Sequence, residues 1–211
     1  MKKNHFIISG IILIVVYFSC LPSSNKIIAN CNCLDSITVY GNQHLVQSNV
    51  LSPELQEQGK KSITKVQKWQ YQQISENFVI LEGMSIRNNP YTSDEVYVLS
   101  GVTTVEQKAL VREFVKNYET GIRFILEGKK VVYGGENDSL AMLQTSALMA
   151  DPQFALSTEF QKLNDARSEQ IAKIAELVCV QNQKRVAIII GCAHLEWFEK
   201  RGYNVKYPPT E

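Results

Sequence analysis

The segment Val186-Ala187-Ile188-Ile189-Ile190 constrains this chain more than any other part of it. It is an uninterrupted apolar run, mostly β-branched, that stops at Gly191. A strand with one wet face would alternate apolar and polar residues, whereas an unbroken run belongs to a strand buried on both sides. That is the strand of a parallel sheet with helices on each face. The same punctuation recurs along the chain. Ile37-Thr38-Val39-Tyr40 stops at Gly41, Phe78-Val79-Ile80-Leu81 ends in Glu82-Gly83, and Val131-Val132-Tyr133 is closed by Gly134-Gly135. Tyr203 to Lys206 reads as a final edge strand before Pro208-Pro209.

Longer stretches with helical spacing separate these runs. Ser52-Pro53 offers an N-cap and a proline at the first helical position. Leu55, Ile63, Val66, Trp69 and Ile74 then fall on one face. A helical region is strongest from Val105 to Leu126, with Leu110, Phe114, Val115, Tyr118, Ile122 and Ile125 predicted on its inner side. Two or three helices fit between Ser139 and Val180, and a short one from His194 to Lys200 ends near Gly202. The alternation predicts an α/β fold: a single domain with a mainly parallel, mixed-edge central sheet flanked by helices. No internal repeat or low-complexity segment argues for a second domain.

The amino terminus is read separately. Met1-Lys2-Lys3-Asn4-His5 is a short basic start, and Phe6 to Phe18 is an almost unbroken apolar run. A membrane-spanning helix needs about 20 apolar residues, so the run fits the core of an export signal better than an anchor. Cys20 follows it as the lipidated cysteine of a lipoprotein would, with Tyr17 where that pattern carries Leu. The expected layout is a signal peptide or lipoprotein signal over 1–20, a linker over 21–35, the α/β domain over 36–207 and a tail over 208–211. The protein is expected to be exported: periplasmic, secreted, or a membrane-anchored lipoprotein held through its signal segment or a lipid on Cys20. Cys31 and Cys33 are expected to be unpaired linker thiols, because bonding at C-x-C spacing closes a strained ring.

Charge removes one class of partner. Twenty-two Lys plus Arg against 21 Asp plus Glu leave a formal +1, which becomes −1 without Lys2 and Lys3. No basic run is present, so nucleic acid is not an expected partner. The placement of the few titratable residues is more informative. Gly41-Asn42-Gln43-His44 follows the first strand, Glu82 ends the second, Glu136 follows Gly134-Gly135, and Gly191-Cys192-Ala193-His194 follows the last long strand. Each alone is an ordinary loop or capping residue. In a parallel sheet, however, all carboxyl ends share one edge, where ligands of open α/β sheets bind. Two imidazoles and two carboxylates are therefore expected to converge on a single crevice.

The paired Gly41-x-x-His44 and Gly191-x-x-His194 motifs resemble those of the TraB/GumN-type superfamily. That group includes TraB and the TIKI proteases and, more distantly, erythromycin-esterase-like and ChaN-like proteins. The resemblance spans about Ile37 to Val205 and includes the Val79-Ile80-Leu81-Glu82 strand and the closing β-α-β unit through Gly202-Tyr203-Asn204-Val205. Arg167, taken as opening an amphipathic helix from Glu169 to Val178, is similar to the family arginine, which is commonly followed by Asn where this chain has Ser168.

The resemblance implies hydrolysis of a peptide or ester bond in a small-molecule or peptide substrate. His44 and His194 can hold a divalent metal (Mn, Fe or Zn) with Glu82 or Glu136, leaving a position for water. Without metal, a Glu–His pair can serve as general base, with Arg167 clamping a carboxylate or oxyanion. Cys192 is expected as a small packing residue and Cys179 as a buried thiol. The alternative is a non-catalytic exported protein that binds haem, a metal or a peptide pheromone. Tyr40, Tyr91 and Tyr133 are its candidate ligands, with packing the preferred role for Tyr40 and Tyr133.

Overall fold

The computed structural model of the chain describes residues 33–43 and 53–209. The signal segment, Cys20, Cys31 and His44 lie outside the described residues. Among the described residues, five strands form one all-parallel sheet: β1 (Ile37–Asn42), β2 (Phe78–Ser85), β3 (Val131–Glu136), β4 (Val186–Gly191) and β5 (Asn204–Lys206). Their order is β3-β2-β4-β1-β5. The apolar run that anchors the sequence reading is β4, at the centre, with Val186 to Ile190 fully enclosed. Phe78 of β2 and Ile37 of β1 both pair with Val186, and Ile80 and Val39 both pair with Ile188. The edge strand β5 is parallel too, against Thr38–Tyr40, where a mixed edge was expected. A helical crossover separates β4 from β5, and such a crossover returns the chain in the same sense.

Among the described residues, seven α-helices cover this sheet: α1 (Pro53–Gln73), α2 (Ser93–Leu99), α3 (Val105–Tyr118), α4 (Thr120–Glu127), α5 (Asp138–Ala150), α6 (Thr158–Asn182) and α7 (Leu195–Glu199). Strand alternation sorts the core into two layers. Ile37, Val39, Ile80, Val186, Ile188 and Ile190 meet Ile171, Ala172, Ala175 and Val178 of α6 and Leu195, Trp197 and Phe198 of α7. Tyr40, Val79, Leu81, Val132, Ala187 and Ile189 meet Val96 of α2 and Phe124 and Ile125 of α4, with Trp69 and Tyr71 of α1 beside them. Cys179 is buried in the α6 layer, as expected. Among the described residues, no helix is long and apolar enough to cross a membrane.

Several boundaries differ from the sequence reading for physical reasons. The predicted helix from Val105 to Leu126 is two helices, broken at Glu119, whose φ of −147° and ψ of 77° leave the helical region. Leu110 and Phe114, expected inside, are 68% and 44% exposed. Helix α3 packs on α1 and α4 rather than on the sheet, so it needs only a narrow apolar stripe, and Val115 is its buried residue. Helix α2 was not anticipated. Its signal is the capping box Thr92-x-x-Glu95, in which each side chain bonds the other's backbone N–H. Arg167 lies inside α6 rather than at the start of a helix. Residues Cys33–Ser36, counted as linker and domain start, form a 3₁₀ turn in which Cys33 and Leu34 pack against the α6 layer.

Strand β2 carries an irregularity that the site depends on. Its register against β3 shifts between Leu81 and Ser85, and Gly83 within the shift adopts φ +81°. A bulge inserts an extra residue and re-aims its neighbours. The carbonyl oxygens of Met84 and Ser85 then pass so close to Gly134 of β3 that a Cβ there would run into both. Gly134→Ala is expected to destabilise the fold by at least about 2–3 kcal/mol through overpacking against backbone. Gly83→Ala, in open space but left-handed, is expected to cost about 1–2 kcal/mol. Urea unfolding of the two variants checks this, and an unchanged midpoint for Gly134→Ala contradicts the packing described.

Candidate functional site

Strands β1 and β2 hand the chain to helices on one face, whereas β4 hands it to α7 on the other. Neighbouring strands whose exits diverge leave a crevice at their carboxyl ends. Here it opens beside the ends of β2, β4 and β1. Glu82 has the same strand parity as Ile80, which directs it to the α6 side, and the bulge carries its carboxyl past the last paired residue, Ile189 of β4. There Glu82 Oε2 accepts the backbone N–H of Gly191.

A 3₁₀ turn, Cys192–His194, folds the chain leaving β4 back onto this carboxylate. His194 Nε2 lies 3.2 Å from Glu82 Oε1, and the ring is 3% exposed. Its other nitrogen, Nδ1, lies 2.8 Å from Ser168 Oγ. The Ser168 hydroxyl donates to the Asn164 carbonyl at 2.8 Å, so Oγ is left to accept the Nδ1–H. Ionised Glu82 can only accept, so Nε2 directs a hydrogen at its Oε1, and the ring is held by Ser168 on one side and by Glu82 on the other. Asn164 Nδ2 in turn donates to the Ala193 carbonyl at 3.1 Å, which ties the turn to α6.

Arg167 completes the group. It projects from the same face of α6 as Asn164 and Ser168, as residues three and four apart do. Its Nε donates to Glu136 Oε1 at 3.1 Å, and its Nη2 donates to Glu136 Oε2 at 2.7 Å and to Glu82 Oε1 at 2.8 Å. Its Nη1 donates to Oε1 of Gln144, from α5. The fork thus holds Glu136 at the end of β3 bidentately and Glu82 at the end of β2 by one further bond. Burial alone would raise the pKa of Glu82. Hydrogen bonding and charge from His194, the Gly191 N–H and Arg167 outweigh it and bring the carboxyl down to about 2.

Four of the five residues expected at the site therefore meet: Glu82, Glu136, Arg167 and His194. The fifth, His44, lies outside the described residues, as noted above; the chain leading to it is fastened as far as Gln43. Asn42 Oδ1 accepts from Gln67 and Gln70 of α1 at 2.7 and 3.2 Å, and Gln43 Oε1 accepts from Ser62 at 3.1 Å. Cys192 is exposed at the crevice, and its thiol donates to the Asn42 carbonyl at 3.3 Å, linking the ends of β4 and β1. Although the residue as a whole is exposed, its sulfur is partly enclosed against the Asn42 carbonyl, and that desolvation, reinforced by the Glu82 charge, pushes the thiol up.

The tyrosines considered as ligands have other partners. Tyr40 Oη donates to Glu76 and to the Gln73 carbonyl at 3.4 Å each and is pushed up to about 12, chiefly by burial. Tyr91 donates to the Ser85 carbonyl at 2.9 Å, and Tyr133 packs against the α6 layer.

Ser168, His194 and Glu82 are the residue types of a nucleophile–base–acid row, at suitable separations. Ser168 is fully buried and already commits its hydrogen to Asn164, so it orients the ring and offers no exposed nucleophile. The described donors also do not fit a metal centre. Both oxygens of Glu136 face Arg167, both of Glu82 are engaged, and a guanidinium stands where a cation would sit. Among the described residues, no group of three His, Cys, Asp or Glu side chains is arranged to hold an ion.

The sequence reading missed Asn164, Ser168 and Gln144. The first two had a signal: with Arg167 they form a polar stripe that continues into the apolar face Ile171-Ala172-Ala175 of the same helix. Gln144 had none.

No family model, curated protein or solved structure matches this chain.

The lowered Glu82 pKa implies acid lability. The folded value lies below the ordinary 4.5, so this carboxylate contributes its full stability above about pH 5 and loses it as pH falls toward 2. The shift corresponds to about 3 kcal/mol. Urea unfolding followed from pH 6 to 2 is expected to show this loss in the wild type and a shallower slope in Glu82→Gln; equal slopes would contradict it.

Proposed function

We propose that this protein is an exported hydrolase of the TraB/GumN type that cleaves a peptide or ester bond, with the Glu82–His194 pair as its general base. The observation that carries the reading is the row Ser168–His194–Glu82–Arg167 at the carboxyl edge of the sheet. Ser168 holds the ring by Nδ1 and Glu82 takes the Nε2 hydrogen, so the Glu82–His194 pair is the unit that accepts a proton from the attacking water. The water oxygen bonds to the carbonyl carbon, and the proton held by the pair is later delivered to the departing oxygen or nitrogen as the bond to carbon breaks. Glu82 faces the ring and compensates its charge while the proton is held. Arg167 keeps Glu82 in place and ionised. His44, two residues beyond the end of β1, is the second histidine of the resemblance.

The family's metal route would use His44 and His194 with Glu82 or Glu136 around Mn, Fe or Zn. The metal-free route is preferred because Arg167 already occupies the carboxylates. A second reading is supported by the same saturation: with every carboxylate oxygen engaged, the cluster can act as a static latch in a protein that only binds haem or a peptide.

Purified protein assayed on a panel of peptides and activated esters is expected to turn over at least one class. His194→Ala is expected to lower kcat/KM by about 10²–10⁴. Chelator treatment should leave the wild-type rate unchanged. Inactivation by chelator, with metal content that depends on His44 and His194, would replace this route by the metal one. No turnover together with a saturable absorbance change on haem titration would establish the binding reading.

A further inference from the structure

We infer that Gln144 and Arg167 form a paired-donor subsite for an uncharged carbonyl oxygen, the oxygen of an amide or ester group. Helix α5 places a polar side chain at its buried position. Gln144 is its buried residue, at 4% exposure, while Met142, Leu143 and Met149 stand in solvent. The inward amide has a forced orientation. Arginine can only donate, so the group bonded to Arg167 Nη1 must be Oε1, and the amide nitrogen is the end that points elsewhere. That nitrogen, Nε2, has no hydrogen-bond partner among the described residues. Buried donors without an acceptor are few in folded proteins, and each calls for a specific account.

Arg167 supplies the second donor. Three of its N–H groups serve Glu136 and Glu82 and a fourth serves Gln144, which leaves one hydrogen of Nη1 without an acceptor among the described residues. Amide geometry places Nε2 within about 5 Å of that nitrogen. One oxygen can accept from both, as oxyanion-hole donors share an acceptor. Its charge follows from the surroundings. Glu82 and Glu136 already stand against Arg167, and two carboxylates beside the subsite oppose a third and favour a neutral acceptor. The inference rests on the hydrolase reading only for its role there, which is to hold the scissile or a neighbouring carbonyl beside His194.

The test uses the full chain labelled with ¹⁵N. The Gln144 side-chain amide signals are assigned by their loss in Gln144→Met, and N-methylacetamide and acetate are titrated separately. The expected result is a saturable shift of those signals with N-methylacetamide and at least about a tenfold weaker response to acetate, one order of magnitude being about 1.4 kcal/mol. Gln144→Glu, which keeps an acceptor for Arg167 but removes the donor, is expected to abolish N-methylacetamide binding while a circular dichroism melt confirms folding. Unmoved signals in the wild type, or equal responses to both probes, would overturn the inference. The two readings fail separately. A probe-induced shift without turnover of any substrate sinks the hydrolase and leaves the subsite. Turnover that is unchanged in Gln144→Met sinks the subsite and leaves the hydrolase.

Discussion

The ion-pair cluster around Arg167 joins three pieces of chain that are far apart in sequence. One guanidinium fastens the ends of β2 and β3 to the middle of α6, through Glu82, Glu136 and its own helix. Removing one member of a buried pair leaves an uncompensated charge and costs about 3–5 kcal/mol, more than a hydrophobic replacement of the whole group would. The cluster is therefore a point of specificity as much as stability. It dictates where α6 sits along its axis, because a slide by one turn would separate Arg167 from both carboxylates and bring apolar residues to the charged edge.

The rest of the site inherits its geometry from that placement. With α6 fixed, Ser168 and Asn164 stand one turn from each other and fall beneath the turn after β4, where they hold His194 and Ala193. The bulge in β2 matters for the same reason. Without the left-handed Gly83 and the bare backbone of Gly134, the chain could not carry Glu82 to both the Gly191 amide and the guanidinium. Two glycines and one arginine thus convert an ordinary parallel sheet into a cluster of paired titratable groups.

Much of this was legible beforehand, and the limits have physical causes. Unbroken apolar runs closed by glycine identify β1 to β4 because burial on both faces leaves no alternative pattern. The meeting of Glu82, Glu136 and His194 follows from strand direction alone. Arg167 came only through a resemblance, since nothing in its neighbourhood distinguishes it from a solvated helix arginine. The inner face of α3 was misread because periodicity shows that a helix has an apolar side but not whether that side meets the sheet or two other helices. Gln144 was invisible for the opposite reason: its helix exposes the residues that a hydrophobic pattern assigns to the core.

The short edge strand has a consequence of its own. β5 has only three residues, and Lys206 at its end is exposed, so it presents little open backbone to an incoming strand. At the opposite edge, Val131 N–H is directed inward to Asn77, so Val132 faces outward, and its carbonyl is taken by the Tyr91 N–H. That loop is held by Arg87, which bonds the Asn89 and Pro90 carbonyls as well as Glu95. A five-stranded parallel sheet is slow to assemble and vulnerable to edge-to-edge growth while it does so. Among the described residues each margin is partly covered by the chain itself, one by brevity and charge and the other by a clamped loop.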